Sequence, residues 1–470
     1  TSLRMILNVM TGLGGPGADA ATVAGRYRVP PGFSVQLYAA DIPRARFLHF
    51  TQAGDLLVSR PHNGDILLLR RDADGDGLPD GQKVLVEGLK RPLGLDTDDS
   101  WLYIAESHRV GRIAFDSDQG KTQGDYQTLI EGFTDDGNHW SKTLRIGPDR
   151  RLYLAQGSTC NICEEPDPRR ATMMRFNPDG GNAEIIATGL RNSVGFDWAP
   201  WSGALYATDN GRDLMGDDFP PCELNHIEAD QFYGWPYFNG NNLPDPDMGA
   251  DPLADSRQPI APAHEFRAHN APLGIHFPET RGLPDDYDRV ALVALHGSWN
   301  RSEPDGYKVV SLHFSEQGIE ERDFLSGFNQ DGDISGRPVD VAQGPDGAIY
   351  VSDDYAGAIY RIAYGETGTS ALNLPARSTT EADTRPPQWL LDADREKLAS
   401  TGATLYARYG CAECHEQGSN PKDLSDLPDR SDYAAVIDAL VAPQAPMPIY
   451  PLEEAELRAL TVYLMHPELR

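Results

Sequence analysis

The sequence predicts an all-β six-bladed β-propeller followed by a small all-α domain. Three observations predict it. One short strand recurs six times, its copies are spaced at about the length of a four-stranded blade, and the apolar periodicity turns helical after a stretch rich in Thr, Ser, Ala and Pro.

The six copies are 55–59 (DLLVS), 101–105 (WLYIA), 151–155 (RLYLA), 204–208 (ALYAT), 291–294 (ALVA) and 348–352 (AIYVS). Several follow a Pro-Asp-Gly-like turn, as at Gly147-Pro148-Asp149 and Gly344-Pro345-Asp346-Gly347. Their central positions, 57, 103, 153, 206, 292 and 350, lie 46, 50, 53, 86 and 58 residues apart, with the 86 read as a blade carrying a long insertion. A β-sandwich with coincidental strands is the competing architecture. The boundaries expected are an N-terminal segment 1–26, the propeller 27–366, a linker 367–392 and a helical domain 393–470.

Within the last of these, Leu398, Leu405 and Tyr409 share one helical face, and Leu457, Leu460 and Leu464 share another. Pro451 precedes the second helix, and Glu453, Glu454 and Glu456 lie near its N-terminus, where negative charge is favoured. A third helix is expected over 433–440. About 80 residues make a small core, which a large prosthetic group would help to fold.

Composition narrows the function. The 470 residues carry 71 Asp+Glu against 41 Lys+Arg, a formal charge of −30, and that field repels phosphate backbones and anionic lipid. Nucleic acid is therefore not expected as a partner. No apolar run approaches the ~20 residues of a membrane-spanning helix. The chain begins at Thr1, and residues 5–13 are too short and too poorly flanked for a secretion signal, so the segment reads as the remnant of a processed or truncated N-terminus.

Cys411-Ala412-Glu413-Cys414-His415 has the C-x-x-C-H spacing of covalent haem attachment. Two thiols so placed form thioethers with the two vinyl groups of one porphyrin, and the adjacent imidazole lies under the iron. With 5 Cys and 12 His in the chain, random placement gives about 0.001 such motifs. Zinc would want further Cys or His nearby, and only His466 is at hand. Met447, 32 residues after His415 and bracketed by Pro446 and Pro448, is the expected sixth ligand, which would raise the potential. The segment 394–470 resembles a class I cytochrome c.

In the propeller, one polar cluster is Gly137-Asn138-His139-Trp140-Ser141-Lys142. A second is Gly189-Leu190-Arg191-Asn192-Ser193-Val194-Gly195, followed after one strand by Asp209-Asn210-Gly211-Arg212-Asp213 and then Tyr233-Gly234-Trp235-Pro236. In this order they resemble the soluble quinoprotein sugar dehydrogenases, which use pyrroloquinoline quinone (PQQ) on a six-bladed propeller. The resemblance extends over most of 32–362. The propeller-plus-cytochrome layout, Gly211-Arg212-Asp213 with 217–221 (DDFPP), and His296-Gly297-Ser298-Trp299-Asn300-Arg301 are most similar to the sorbosone and pyranose dehydrogenase branch.

The resemblance implies that His139 is the general base, taking a proton from a sugar hydroxyl as hydride moves to the quinone, with a pKa near its ordinary ~6.5. It implies that Arg191 stabilises charge developing on the quinone and that Asn192 orients it. The main-chain carbonyls of Gly211 and Arg212 would ligate a Ca²⁺ shared with the quinone. Arg301 and Arg337 would meet the quinone carboxylates, with Lys308 as a further candidate. Three positions depart from the family pattern. Arg212 stands where Pro is common, which predicts a less rigid loop. Asn138 replaces an acid beside the histidine, which predicts a lower imidazole pKa. Val339 occupies the place of a second close arginine.

Asp72-Ala73-Asp74-Gly75-Asp76-Gly77-Leu78-Pro79-Asp80 matches the first nine positions of an EF-hand-type loop. Lys83 stands where the twelfth position wants Glu, so the segment reads as a structural calcium loop holding its ion with Asp72, Asp74, Asp76 and Asp80, or else as a plain acidic turn. Cys160-Asn161-Ile162-Cys163 forms either a disulfide or a small redox pair, and the pairing of Cys222 is left open. Covalent haem attachment implies a periplasmic or extracellular location. The expected function is oxidation of an aldose or related carbonyl hydrate at PQQ–Ca²⁺, with electrons passing singly to the fused haem c and on to a downstream acceptor. A calcium-dependent lactonase-like hydrolase, or a degenerate propeller that docks a partner for the cytochrome, are the alternatives.

Overall fold

A computed structural model of the chain describes residues 17–365, 395–409, 411, 424, 427, 433, 436, 437, 440 and 454–466. The chain divides into two compact units, one taking in 17–365 and the other the described residues from 395 onward.

The first unit is a six-bladed β-propeller. From the channel outward, blade 1 is Leu48–Phe50, Leu56–Arg60, Asp65–Leu69 and Gln82–Val86, and blade 2 is Leu95–Thr97, Trp101–Ala105, Arg109–Asp116 and Lys121–Glu131. Blade 3 is Lys142–Ile146, Leu152–Gln156, Thr172–Phe176 and Glu184–Thr188. Blade 4 is Phe196–Trp198, Leu205–Asp209, Cys222–Ile227 and His264–Phe266. Blade 5 is Pro272–His276, Val290–Leu295, Lys308–Ser315 and Gly318–Leu325. Blade 6 is Pro338–Gln343, Ile349–Asp353 and Ala358–Tyr364, and its outermost strand is the N-terminal Phe33–Ala39, paired antiparallel from Phe33↔Tyr364. Joining the chain's first strand to its last blade closes the ring and leaves no seam edge unpaired.

The six repeats seen in the sequence are the second strands of the six blades. Their turns have a common chemistry. Tyr103, Tyr153 and Tyr350 donate to Asp98, Asp149 and Asp346 of the turn just before them, at 2.9, 3.0 and 3.0 Å. The Asp–Tyr bond fixes the turn between the first two strands in each of these blades. The long spacing between the fourth and fifth repeats is an insertion between the third and outermost strands of blade 4. It holds the short pairs Gln231–Phe232, Phe238–Asn239 and Leu243–Pro244 and the helical turn Pro252–Asp255.

Strand direction decides where chemistry can gather. The innermost strand of each blade runs away from one end of the channel, here called the upper end, and the second strand returns to it. Loops entering first strands and loops leaving second strands therefore share the upper end. The turns between first and second strands, and between third and fourth, share the lower end.

The channel itself is closed by two layers. Phe47, Leu93, Val194, Leu273 and Val339, from five different blades, pack into one buried apolar cluster. Lower along the same strands comes a ring in which carboxylates alternate with imidazoles and a guanidinium, one residue per blade: His49, Asp96, Arg145, Asp197, His276 and Asp340. Arg145 bonds Asp197 at 3.1 Å, and Asp197 also meets His276 at 3.1 Å. The three aspartates tie neighbouring blades together by accepting backbone N–H groups: Asp96 from Ile146 at 2.8 Å, Asp197 from Phe277 at 2.9 Å and Asp340 from Leu48 at 2.9 Å. These bonds satisfy amides on the channel edge of the innermost strands that no further strand covers. Arg145 and its neighbours hold Asp197 down to about 2, whereas burial raises Asp340 to about 6.

In the second unit, Arg395–Arg408 packs on Glu454–Met465 as the apolar periodicity predicts. A Cβ at Gly402 would overlap the Ala459 carbonyl, so glycine is what lets the two helices cross closely. Tyr433, Val436, Ile437 and Leu440 are helical, in line with the third expected helix.

Candidate active site

His139, Arg191–Asn192 and Arg337 enter the first strands of blades 3, 4 and 6. Gly211–Arg212 and His296–Arg301 leave the second strands of blades 4 and 5. By strand direction alone, all of them lie at the upper end. Three of them converge on one residue that the sequence reading did not single out. A Cβ on Gly157, at the end of the second strand of blade 3, would lie 2.6 Å from Asn192 Oδ1, 2.7 Å from His139 Cβ and 3.1 Å from the Arg191 carbonyl oxygen.

His139 is oriented by Ser158. Its Nδ1 lies 3.0 Å from the Ser158 carbonyl oxygen and 2.9 Å from Ser158 Oγ, which itself donates to the Cys160 carbonyl at 2.7 Å. A carbonyl can only accept, so Nδ1 carries the proton and Nε2 keeps its lone pair. Burial, and then the charge of Arg191, push the imidazole down to about 3, far below the ordinary value expected from the resemblance. His139 is thus neutral across the physiological range.

Arg191 is 3% exposed and fully engaged along one edge. Its Nε and Nη2 donate to the carbonyl and Oδ1 of Asn161 at 3.0 and 2.8 Å, Nη2 also to Asp213 at 2.9 Å, and Nη1 to the Asn210 carbonyl at 3.0 Å. Beside it is a cavity of about 20 Å³, bordered by Asp209, Gly211, Arg212, Glu223, Tyr233 and Trp235 among others. That is room for one ion or water. Asp209 and Glu223 face each other directly across blade 4, with Glu265 next in the row. Burial raises Asp209 to about 7, and burial with the charge of Asp209 raises Glu223 to about 8. Like charges opposed across a ladder are unfavourable unless something cationic sits between them. Two oxygen donors of this kind, beside the main chain of Gly211 and Arg212, fit a hard divalent cation.

Arg212 does not loosen this loop. Its guanidinium grips the buried Asp245 with both oxygens, at 2.7 and 2.8 Å, and also bonds Asp247, so the blade 4 insertion braces the turn that the sequence predicted to be less rigid. The loops after blades 4 and 5 interlock: Arg301 donates to the Asp217 carbonyl and to Asp218, the Ser302 amide to Asp217, and Asn300 reaches Asp213 at 3.4 Å. Arg337 donates to the carbonyls of His296 and Gly297, both at 3.1 Å. Buried side-chain atoms without a protein partner are also found at this end, among them Gln156 Oε1 at the end of a second strand and Ser193 Oγ, His269 Nδ1, Asn270 Oδ1 and Asn300 Oδ1 in the loops. Orphaned polar atoms beside three buried arginines fit a polar, anionic ligand at this end.

Lys308 stands apart from this group. It opens the third strand of blade 5, and its ammonium is held at 2.6 Å by Asp323 on the outermost strand, away from the channel. Val339 belongs to the apolar plug, where a guanidinium would be buried without partners. Asp72, Asp74 and Asp80 bring carboxylate oxygens within 4.8 Å of one another, but on a lower-end loop of blade 1, and Asp76 is not in that group. Asp72 already accepts the amides of Gly75, Asp76 and Gly77. Cys160 and Cys163 form a disulfide, and Cys222 is a buried free thiol. Cys411 is buried among the helices of the second unit, whereas Cys414, His415 and Met447 lie outside the described residues. Among the described residues, no helix is long and apolar enough to cross a membrane.

Comparison with known proteins gives the same fold and a family. The TrAA12-like family model matches residues 27–221 and 250–365. An uncharacterized protein of Borreliella burgdorferi is 31% identical over 364 residues, covering 73% of this chain and 93% of that one. The aldose sugar dehydrogenase YliI of Escherichia coli is 23% identical, covering 61% of this chain and 80% of the relative. A pyrroloquinoline quinone-dependent pyranose dehydrogenase of Coprinopsis cinerea is 26% identical over 71% of this chain, a match that spans about half (54%) of that protein. Among solved structures, the carbohydrate-active enzyme family AA12 protein of Trichoderma reesei superposes with a TM-score of 0.63 at 20% identity, covering 72% of this chain and 98% of that one. The holo PQQ domain of the Coprinopsis cinerea pyranose dehydrogenase gives 0.60 at 22% identity, covering 72% and 97%.

Proposed function

The chain belongs to the TrAA12-like family, and from that premise we propose that its propeller is a PQQ- and Ca²⁺-dependent dehydrogenase that oxidises an aldose or related sugar carbonyl hydrate. The observation that carries this reading is the packing of His139, Arg191 and Asn192 around Gly157, next to the cavity of Asp209 and Glu223. The curated relatives named as PQQ-dependent or aldose dehydrogenases support the cofactor and the substrate class. The three aspartates of the channel are already matched by Arg145 and two imidazoles and by backbone amides, which leaves a carboxylate-bound channel calcium of the lactonase kind without its ligands.

In this reading Asp209, Glu223 and the main chain of Gly211–Arg212 hold Ca²⁺, and Arg301 and Arg337 meet the carboxylates of PQQ. When bound, PQQ supplies a two-electron acceptor polarised by the cation. His139 Nε2 takes the proton of the substrate hydroxyl, with Nδ1–H anchored on Ser158 so that the lone pair is aimed and the tautomer fixed. Arg191 presents a fixed positive charge for the negative charge that develops during oxidation. The motif Cys411-Ala412-Glu413-Cys414-His415 with Met447 supports a covalent haem c in the second unit as the one-electron outlet, delivering to a downstream redox partner. That attachment chemistry, with the Cys160–Cys163 disulfide, supports a periplasmic or extracellular site of action. Asp72, Asp74 and Asp80 are read as a structural calcium loop.

The test is reconstitution of the full chain with PQQ and Ca²⁺, followed by addition of sugars while the reduced haem bands are monitored. Bands that appear only with both PQQ and a sugar are the expected result. Turnover of lactones without quinone would assign a hydrolase instead, and inertness to both would leave a docking module.

A further inference from the structure

The loop closed by Cys160 and Cys163 is given no part in the chemistry above, yet it lies against the site. We propose that Asn161 is a positioning residue for Arg191, and that the Cys160–Cys163 disulfide is the clasp that holds Asn161 in place. The proposal rests on the role given to Arg191 above.

Asn161 gives two acceptors to one edge of one guanidinium: its main-chain oxygen takes Nε–H at 3.0 Å and its Oδ1 takes an Nη2–H at 2.8 Å. A two-point grip on adjacent donors fixes the plane of the group as well as its position, as a single bond does not. Asn161 is held in turn. Its Oδ1 also accepts the Asp213 amide at 2.9 Å, its Nδ2 donates to the Asp213 carbonyl at 3.1 Å, and the Trp235 indole donates to its main-chain oxygen at 3.3 Å. Asp213 closes the circle by accepting from Arg191 Nη2 at 2.9 Å. Asn161 therefore joins four separate segments: its own loop, the one entering blade 4, the one carrying Gly211 and the blade 4 insertion that carries Trp235.

Half of this grip uses a backbone carbonyl, so it depends on the path of the main chain and not only on a side chain. The disulfide closes that path over four residues, Cys160 to Cys163, and so limits how far the Asn161 carbonyl can swing. Immediately upstream, Ser158 donates to the Cys160 carbonyl and orients His139. One short segment thus sets both the imidazole and the guanidinium before substrate arrives, which is the condition for electrostatic preorganisation.

The experiment is a double-mutant cycle in the reconstituted full chain, with Asn161→Ala, Arg191→Ala and the combination. The readouts are kcat, KM and, independently of turnover, PQQ affinity from quenching of tryptophan fluorescence in Ca²⁺. Asn161→Ala is expected to lower kcat by about 30-fold with KM within about threefold, and to weaken PQQ binding by about 10-fold. In the Arg191→Ala background the same change is expected to alter neither quantity by more than about twofold, because the group it positions is gone. The C160A/C163A variant, which keeps Asn161 and frees its loop, is expected to lose at least about fivefold in kcat, and it decides the matter if Asn161→Ala melts at the assay temperature. Additive losses, or wild-type kcat and affinity in Asn161→Ala, would overturn the proposal. A slow Arg191→Ala beside a normal Asn161→Ala removes the positioning role alone. Wild-type turnover in Arg191→Ala removes the catalytic role of that arginine and the positioning role with it.

Discussion

Gly157→Ala adds one methyl group at the point where three site residues meet, and its effect follows from distances. The new Cβ would stand 2.7 Å from His139 Cβ, against about 3.5 Å for an ordinary carbon contact, and 2.6 Å from Asn192 Oδ1. His139 or the strand end must therefore yield by about 0.8 Å. The backbone of Gly157 is not in the left-handed region, so alanine brings no conformational strain and even gains about 0.4–1 kcal/mol through the unfolded chain. Overpacking costs about 1–3 kcal/mol, which leaves a net loss of about 1 kcal/mol and a fall in Tm of a few degrees. Catalysis is less tolerant, because a displacement near 1 Å of a reacting group costs about 100-fold. The expected outcome is kcat lowered by about 30- to 100-fold, measured with sugar and an artificial dye acceptor, in a protein that still melts cooperatively within a few degrees of the parent. Wild-type kcat at that Tm would show that His139 and Asn192 need not be held where Gly157 lets them sit.

Three further outcomes are expected. The acid limb of kcat/KM should lie well below pH 5, because the base form of His139 is required and burial beside Arg191 depresses its pKa to about 3; a limb near 6.5 would refute that environment. Arg145→Met should cost about 3–5 kcal/mol at pH 7 in a denaturant titration, since it strands the channel aspartates. Asp197, held at about 2, contributes above its unfolded pKa and loses that contribution as pH falls through 2, so the deficit of the variant should shrink in acid, and a pH-independent deficit would count against the ring. Asp74→Ala should shrink, without abolishing, the Ca²⁺-dependent rise in Tm, since the cation proposed at Asp209 and Glu223 keeps its own contribution, and should leave sugar turnover unchanged, because its loop lies at the end of the propeller opposite the site; a Ca²⁺ response equal to that of the parent would leave the loop a plain acidic turn.

The blades were readable in the sequence because their second strands carry the densest apolar runs and because the preceding turn repeats an Asp that bonds the strand's Tyr. The innermost strands of blades 1, 2 and 4 are three residues long, too short to show a period, and Lys121–Glu131 is mostly exposed and polar. The site was readable only where its residues lie in runs of unusual chemistry, as His139 and Arg191-Asn192 do. Gly157, Ser158 and Asn161 gained their roles from blades coming together, which spacing along the chain does not encode. Asn161 lies between two cysteines, whose spacing points to sulfur chemistry and says nothing of an arginine partner. Lys308, a further candidate in the sequence, opens the third strand of blade 5, where its ammonium bonds Asp323 of the outermost strand.

The three departures from the family pattern each have a local physical counterpart. The turn that lacks a proline at Arg212 is held by a two-oxygen grip on Asp245, so rigidity built into one residue has become rigidity shared with the insertion. Val339 completes an apolar plug with Phe47, Leu93, Val194 and Leu273, and a cation there would face burial without partners, which leaves the anion recognition proposed here to Arg301 and Arg337 above the plug. The change at Asn138 has the largest chemical consequence. With a Ser158 carbonyl in place of a carboxylate, nothing charged stabilises an imidazolium, and Arg191 opposes it. In the proposed reaction His139 is therefore a weak base, but one that is in its basic form across the physiological range and that gives its proton up readily once it has taken it. In the proposed reaction the fixed cation at Arg191 would then lower the barrier that basicity does not, which would tie the rate to how firmly that guanidinium is held.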